Sequence, residues 1–239
     1  LRTLLERRAD AAEGPGWVER RLRLAELYEQ AFRDQDAAIG MFREVLDVEP
    51  GNVTAQPDLE RLFEATAAWD DMVALILSRV GDAPDEIQRS LLERVAEIHD
   101  AQRGDADSAI RVYERINVDL GPDDRTLRAL ADLYARKESW TKVADALERL
   151  AARLEAPEAI EICHRVVDLY DRQLEDEERA GRALRGTYDR FPSDEKTRER
   201  LKAHYESRGD HQALVEVLDA ELGAASSDAE RVSLLRTLS

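Results

Sequence analysis

RSLLERVAEIHDAQRGDADSAIRVYERINVDLGP, residues 89–122, decides how the whole chain is read. Within 89–101, Leu92, Val95, Ala96 and His99 keep the i, i+3, i+4, i+7 spacing of one helical face. Within 106–118, Ala109, Ile110, Tyr113 and Ile116 do the same. Between the two runs lies Gln102-Arg103-Gly104-Asp105, a short polar turn, and Gly121-Pro122 closes the stretch. The segment therefore predicts two short amphipathic helices folded back to back. Neither has enough apolar surface to be stable alone, so the hairpin needs neighbours to stack on.

The neighbours are present as repeats. Large ring-bearing side chains recur at Tyr28, Phe63, His99, Tyr134, Tyr170 and Tyr205, at spacings of 35, 36, 35, 36 and 35. The alternation defines a double unit of 71 residues, and other series obey it: Leu24, Val95, Val166; Ala38, Ala109, Ala180; Phe42, Tyr113, Leu184; Leu59, Leu130, Leu201; Trp69, Trp140, His211. The half-unit that opens each double unit carries one extra residue between its helices. Pro50, Pro122 and Pro192 close second helices. No period-2 run survives beyond a few residues, so no strand is expected. The expectation is an all-α solenoid of about fourteen antiparallel helices. It divides into the end of a preceding repeat (1–16), double repeats at 17–88, 89–158 and 159–228, and the start of a following repeat (229–239). On this reading Leu1, Leu4 and Leu5 at one end, and Leu234, Leu235 and Leu238 at the other, belong to faces that pack on further repeats or self-associate.

Composition narrows the function classes. The 239 residues carry 52 acidic and 35 basic side chains, a net charge of −17, which argues against a phosphate-binding surface and hence against nucleic acid. The longest apolar run, Met72 to Leu77, is too short to span a membrane. A single cysteine, Cys163, rules out an intramolecular disulfide framework and leaves the compartment open, with the cytoplasm preferred. The Arg- and Ala-rich, Lys-poor composition associates the chain with GC-rich bacterial genomes.

The pattern resembles the tetratricopeptide (TPR) repeat family. Leu127, Leu130, Ala131 and Tyr134 match the face of that family's first helix. Ala38, Phe42, Val45 and Pro50, and again Ala109, Tyr113, Ile116 and Pro122, match its second helix and closing proline. Val48-Glu49-Pro50-Gly51-Asn52 is similar to its turn between repeats. The resemblance covers nearly the whole chain. It implies stacked helical hairpins whose first helices line a concave groove that binds a partner segment.

Candidate chemistry reads as structure. Cys163 occupies the series of Leu92 and is expected in the core; His99 and His211 stand at packing positions and are expected to be core histidines; only His164 is expected on an exposed groove face. Acidic pairs at Asp34/Asp36 and Asp105/Asp107 repeat in register, as helix N-termini would and a catalytic pair would not. No catalytic residue, metal site or cofactor is expected. Side chains facing away from the buried stripe of each first helix give thirty positions with thirteen acids and six bases. The candidate partner-binding residues among them are Glu26, Glu29, Glu93, Glu97, Asp100, Arg128, Arg136, His164, Asp168 and Asp171. Acidic ridges alternating with Arg-bearing ridges suit a basic protein or peptide segment. The expected function is a non-enzymatic interaction scaffold; the alternative is a regulatory or sensor segment of a larger protein whose catalytic or DNA-binding domain lies outside this chain.

Overall fold

The computed structural model describes residues 16–81 and 83–224. Twelve α-helices follow one another: α1 Trp17–Leu27, α2 Gln35–Val48, α3 Ala55–Ala65, α4 Trp69–Leu77, α5 Asp85–Glu97, α6 Ala106–Asp119, α7 Asp124–Arg136, α8 Trp140–Arg153, α9 Glu158–Arg172, α10 Glu177–Arg190, α11 Glu195–Arg208 and α12 His211–Ala224. No strand occurs among the described residues. The chain forms two compact units, residues 1–109 and 110–239, divided within α6. The first holds hairpins α1/α2 and α3/α4, then α5. The second holds hairpins α7/α8, α9/α10 and α11/α12, with the body of α6. These are TPR-like hairpins. The two terminal partial repeats expected from sequence, with their leucines, lie outside the described residues.

The two kinds of half-unit differ in the backbone of the turn between their helices. In the short half-units, the amide that opens the second helix bonds to a carbonyl five residues back: Ala68 to Phe63 at 2.8 Å, Ser139 to Tyr134 at 2.9 Å, Asp210 to Tyr205 at 3.0 Å. In the long half-units it reaches six back: Asp34 to Tyr28 at 3.0 Å, Asp105 to His99 at 2.8 Å, Asp176 to Tyr170 at 2.8 Å. The six acceptors are the six ring-bearing residues of the sequence series. The extra residue enters as a wider last turn, π-helical at Tyr28–Phe32 and Ile98–Gln102. Each turn contains one left-handed residue, at Arg33, Gly104 and Glu175 in the long half-units and Ala67, Glu138 and Gly209 in the short ones. Such a residue turns the chain back on itself and lets orphan carbonyls at the helix end find donors.

Several helices begin on a side-chain cap. Asp34, Asp105, Asp123, Asp176, Asp194 and Asp210 each accept the amide three residues on, at 3.1, 3.0, 2.7, 2.9, 2.8 and 3.2 Å. The aspartate doublets are thus helix starts. Asp36 and Asp107 sit in the first turn, where a carboxylate meets the positive end of the helix dipole.

Packing inside each unit follows the repeat series. Leu24, Phe42, Leu59, Phe63, Met72 and Ile76 fill the first unit; Ile116, Leu127, Leu130, Leu147, Val166, Leu184 and Leu201 fill the second. Two pairs of positions diverge together between repeats. Glu60 and Arg79 form an ion pair of 2.8 Å in the first repeat, and Lys202 and Glu221 form one of opposite polarity at 3.1 Å in the third. In the second repeat the same two positions hold Ala131 and Leu150, both buried. Arg43 and Asp71 likewise pair at 2.5 Å where, one period on, Glu114 and Lys142 pair at 3.2 Å with the signs exchanged. Complementarity is kept while residue identity is not.

Gly181 shows the same coupling by size. Its positional equivalents are Ile39 and Ile110, and those of its neighbour His204 are Leu62 and Leu133. A Cβ on Gly181 would lie 2.3 Å from His204 Nε2, so the imidazole occupies the space a side chain would take. Gly181→Ile should therefore destabilise the second unit by about 2 kcal/mol through overpacking. Adding His204→Leu should recover most of that loss, because the pair then matches the one used twice elsewhere. Urea unfolding of the two variants measures both effects.

Candidate functional site

The first helices carry the candidate binding residues, and the structure shows what those side chains do. In the first unit, Glu29 on α1 takes a two-pronged contact from Arg61 on α3, at 2.5 and 2.8 Å. Those hydrogen bonds hold the Glu29 carboxyl below the usual carboxylate range, against the opposing effect of burial. Arg94 on α5 reaches back to Glu60 at 2.5 Å and Glu64 at 3.5 Å on α3. In the second unit, Arg128 on α7 meets Glu158 on α9 at 2.6 Å, and Arg165 on α9 lies 4.0 Å from Asp132 on α7. Arg200 on α11 contacts Asp168 at 2.7 Å and Asp171 at 3.5 Å on α9. Within each unit these contacts run from one first helix to the next. They form a ladder of ion pairs that fixes the spacing of the hairpins.

Four of the ten candidates, Glu29, Arg128, Asp168 and Asp171, are thus engaged inside the stack. Glu93 is buried, which removes it from any binding surface. Glu97 and Arg136 are exposed and Asp100 is half-buried, each with interactions of its own. Glu26 is exposed on α1.

His164 corrects its expectation: it is 6% exposed rather than open on the groove. Nδ1 accepts from Arg200 at 3.2 Å, and Nε2 lies 3.2 Å from Thr197 Oγ1 and 3.3 Å from Asp194 Oδ2. Helical spacing put His164 on the face away from its own buried stripe. It could not show that α11 lays Thr197 and Arg200 across that face. Burial pushes the imidazole below its ordinary value, opposed by the hydrogen bond with Asp194 and assisted by Lys196 and Arg200. Asp194 is held low by the Thr197 hydroxyl and amide and by His164.

The other histidines and the cysteine also shift. His211, expected in the core, is exposed as the first residue of α12. His99 is half-buried with Arg103 3.3 Å from its Nδ1. Cys163 is half-buried on a cleft of about 200 Å³ with Val166, Ala183, Gly186 and Thr187, because the facing residues of α10 are too small to cover it.

Two open clefts lie between second helices of the second unit, on the side away from the candidate binding residues. One, about 440 Å³, has Glu114, Tyr134, Lys142 and Arg149 on its walls; the other, about 410 Å³, has Asp145, Glu148, Tyr170 and Arg182. Tyr134 donates to Glu114 at 2.6 Å and Tyr170 to Glu148 at 2.8 Å. Burial, reinforced by Glu148, pushes the Tyr170 phenol up to about 12, and Tyr134 is raised by burial and Glu114. Glu114 is held low by the Tyr134 hydroxyl and Lys142. These groups move away from neutrality, so none is poised to exchange a proton near pH 7. Among the described residues, no three His, Cys, Asp or Glu side chains gather as metal ligands, and no helix is long and apolar enough to cross a membrane.

No protein-family model matches the chain, and no curated protein does. Solved structures do. A tetratricopeptide repeat protein from Parabacteroides merdae is similar at 12% identity and a TM-score of 0.42, covering 92% of this chain and 85% of that one. The structure of Naa15/Naa10 bound to HypK-THB is similar at 21% identity and a TM-score of 0.46, over 93% of this chain but 34% of that one. YrrB, a TPR protein with an unusual peptide-binding site, is similar at 12% identity and a TM-score of 0.39, over 77% and 91% of the two chains. At these distances the fold assignment rests on the hairpin geometry above.

Proposed function

We propose that the chain is a non-enzymatic interaction scaffold whose first-helix faces receive a basic protein or peptide segment. One observation carries this reading. The arginines Arg61, Arg94, Arg128, Arg165 and Arg200 are all engaged by acids of neighbouring first helices. Four exposed carboxylates, Glu26 on α1, Glu161 on α9, and Glu199 and Glu206 on α11, have no charged partner among the described residues. Exposed Arg172 and Lys196 are the cations left over beside them. The ion-pair ladder thus uses up most of the positive charge and leaves an acidic remainder. Charge left at a rim steers encounter and sets register more than it adds affinity. In the clefts, Glu114, Tyr134 and Tyr170 are shifted away from neutrality, which favours binding over catalysis there.

The second unit provides the test. Titrating the protein with an extended Arg/Lys-rich peptide should show binding that weakens as salt rises. The triple reversal Glu161→Lys, Glu199→Lys, Glu206→Lys should lower affinity about tenfold or more at low salt, about 1.4 kcal/mol, and flatten the salt dependence. Their exposure leaves the fold intact. Unchanged affinity would place the partner on another surface.

A further inference from the structure

His164 is the one histidine buried among the described residues, and it lies in a polar cluster between the first helices of adjacent hairpins. We propose that this cluster is an acid-operated latch: a proton added at His164 Nδ1 expels Arg200 and loosens α11 from α9. The proposal stands whether or not that face binds a partner.

The geometry sets the resting state. A guanidinium has only donors, so Nδ1, 3.2 Å from Arg200, must present its lone pair. The ring proton is then on Nε2, facing Asp194 Oδ2 at 3.3 Å and Thr197 Oγ1 at 3.2 Å. The threonine hydroxyl can accept there because its own proton goes to Asp194 Oδ2, 2.6 Å away. His164 is therefore neutral and joins both ends of the α11 contact. A second proton has only Nδ1 to occupy, and there it would point at the Arg200 donor. At 6% exposure the imidazole has little access to solvent that would separate them.

The surrounding charges are accounted for on every side. From α11 and its cap come Asp194, Lys196 and Arg200, and behind Arg200 stand Asp168 and Asp171 of α9 itself. Arg165 and Glu158, further along α9, are taken by Asp132 and Arg128 of α7. Glu148 of α8 and Arg179 of α10 meet at Tyr170, and Arg190 of α10 binds the carbonyls of Ala151 and Leu154. Asp194 alone favours the imidazolium directly, and burial together with Arg200 and Lys196 outweighs it. The folded histidine thus binds its proton less readily than the unfolded one, whose pKa is about 6.5. The stabilisation is complete above about pH 6.5 and is lost as pH falls through the folded value. Asp194, itself held low, is protonated only at more acid pH.

Release has a defined consequence. Arg200 leaves the ring and its contacts with Asp168 and Asp171 are disturbed, so two further carboxylates become available on the α9 face. Acid would thereby loosen one hairpin junction while the rest of the stack holds.

The test uses the full chain. Carbon-13 histidine resonances are followed from pH 8 to pH 5, with His164 assigned by its loss in His164→Gln. Amide exchange, corrected for intrinsic rates, is compared for α11 and α7 at pH 7.5 and 5.5. The expected result is a His164 titration below pH 6.5 and faster α11 exchange at the lower pH, by up to about tenfold, the limit set by an unfolded value near 6.5 and a measurement at pH 5.5, with α7 unchanged. Glutamine can donate and accept at both pH values, so His164→Gln should keep α11 equally protected throughout. Arg200→Gln replaces a group that can only donate with one that can also accept, and should raise the one histidine resonance that titrates lowest in the wild type, a readout that serves even if His164→Gln does not fold. A wild-type titration at or above 6.5, or equal acid loosening of α11 in His164→Gln, would overturn the latch.

Discussion

Replacing Glu60 by alanine should cost the first unit about 3 kcal/mol, and replacing Arg79 by leucine in the same molecule should return most of it. Glu60 is 16% exposed in its side chain and bridges Arg79 at 2.8 Å and Arg94 at 2.5 Å. Removing the carboxylate leaves two guanidinium groups facing each other where their counter-ion stood. That is costly because the surrounding helices keep water from fully replacing it. The double substitution Glu60→Ala, Arg79→Leu removes ion and counter-ion together. The protein already carries this solution one period on, where Ala131 and Leu150 are 1% and 0% exposed. Arg94 keeps Glu64 within 3.5 Å. Urea unfolding should show the single variant well below wild type and the double variant within about 1 kcal/mol of it. A double variant as weak as the single would mean that the ion pair, not the apolar alternative, suits this position.

The same pair shows what a sequence with an internal repeat can reveal. Period, helix count and hairpin order follow from side chains that must be apolar to close a stack. That requirement recurs every 71 residues, so Leu24, Val95 and Val166 announce their burial together. The aspartate doublets were readable because a cap recurs in register and a catalytic pair need not. The extra residue in alternate half-units was visible as a count, and its form, a wider last turn closed by a left-handed residue, was not. Only one of the three long turns, at Gly104, carries the glycine that would have signalled it.

The binding face was harder to read because helical spacing assigns a side chain to a face, not to a partner. Glu29 and Arg61 are 32 positions apart, and Arg200 meets Asp168 across the same separation. A search for opposite charges near one half-repeat apart would have found both. His164 looked exposed for the same reason: its own helix points it outward and the next hairpin covers it. His211 went the other way, since its position at the very start of α12 needs no packing partner. What remains of the acidic face after internal pairing is smaller than composition suggested, and it sits on Glu26, Glu161, Glu199 and Glu206.

Glycine at four turn positions should raise stability by about 3 kcal/mol in total. Arg33, Ala67, Glu138 and Glu175 adopt φ of 53°, 53°, 54° and 50°, a left-handed conformation that crowds Cβ against the following carbonyl. The positional equivalents Gly104 and Gly209 adopt 63° and 64° without that crowding. Relief of the crowding is worth about 1–2 kcal/mol per site, and the extra freedom of glycine in the unfolded chain offsets about half of it. Arg33, Glu138 and Glu175 are exposed, and Ala67 has only a methyl group to lose. The four sites lie in separate turns, so their gains should add. For a chain of this size the combined variant should melt about 6–12 °C higher than wild type. Each single variant should move in the same direction, Ala67→Gly most cleanly because it changes neither charge nor hydrogen bonding. Lower melting in all four would mean that the turns are not held in this conformation in solution. The hydrogen bonds from Asp34, Ala68, Ser139 and Asp176 back to the ring-bearing residues would then lose their geometric basis, and with them the physical account of the two alternating turn lengths.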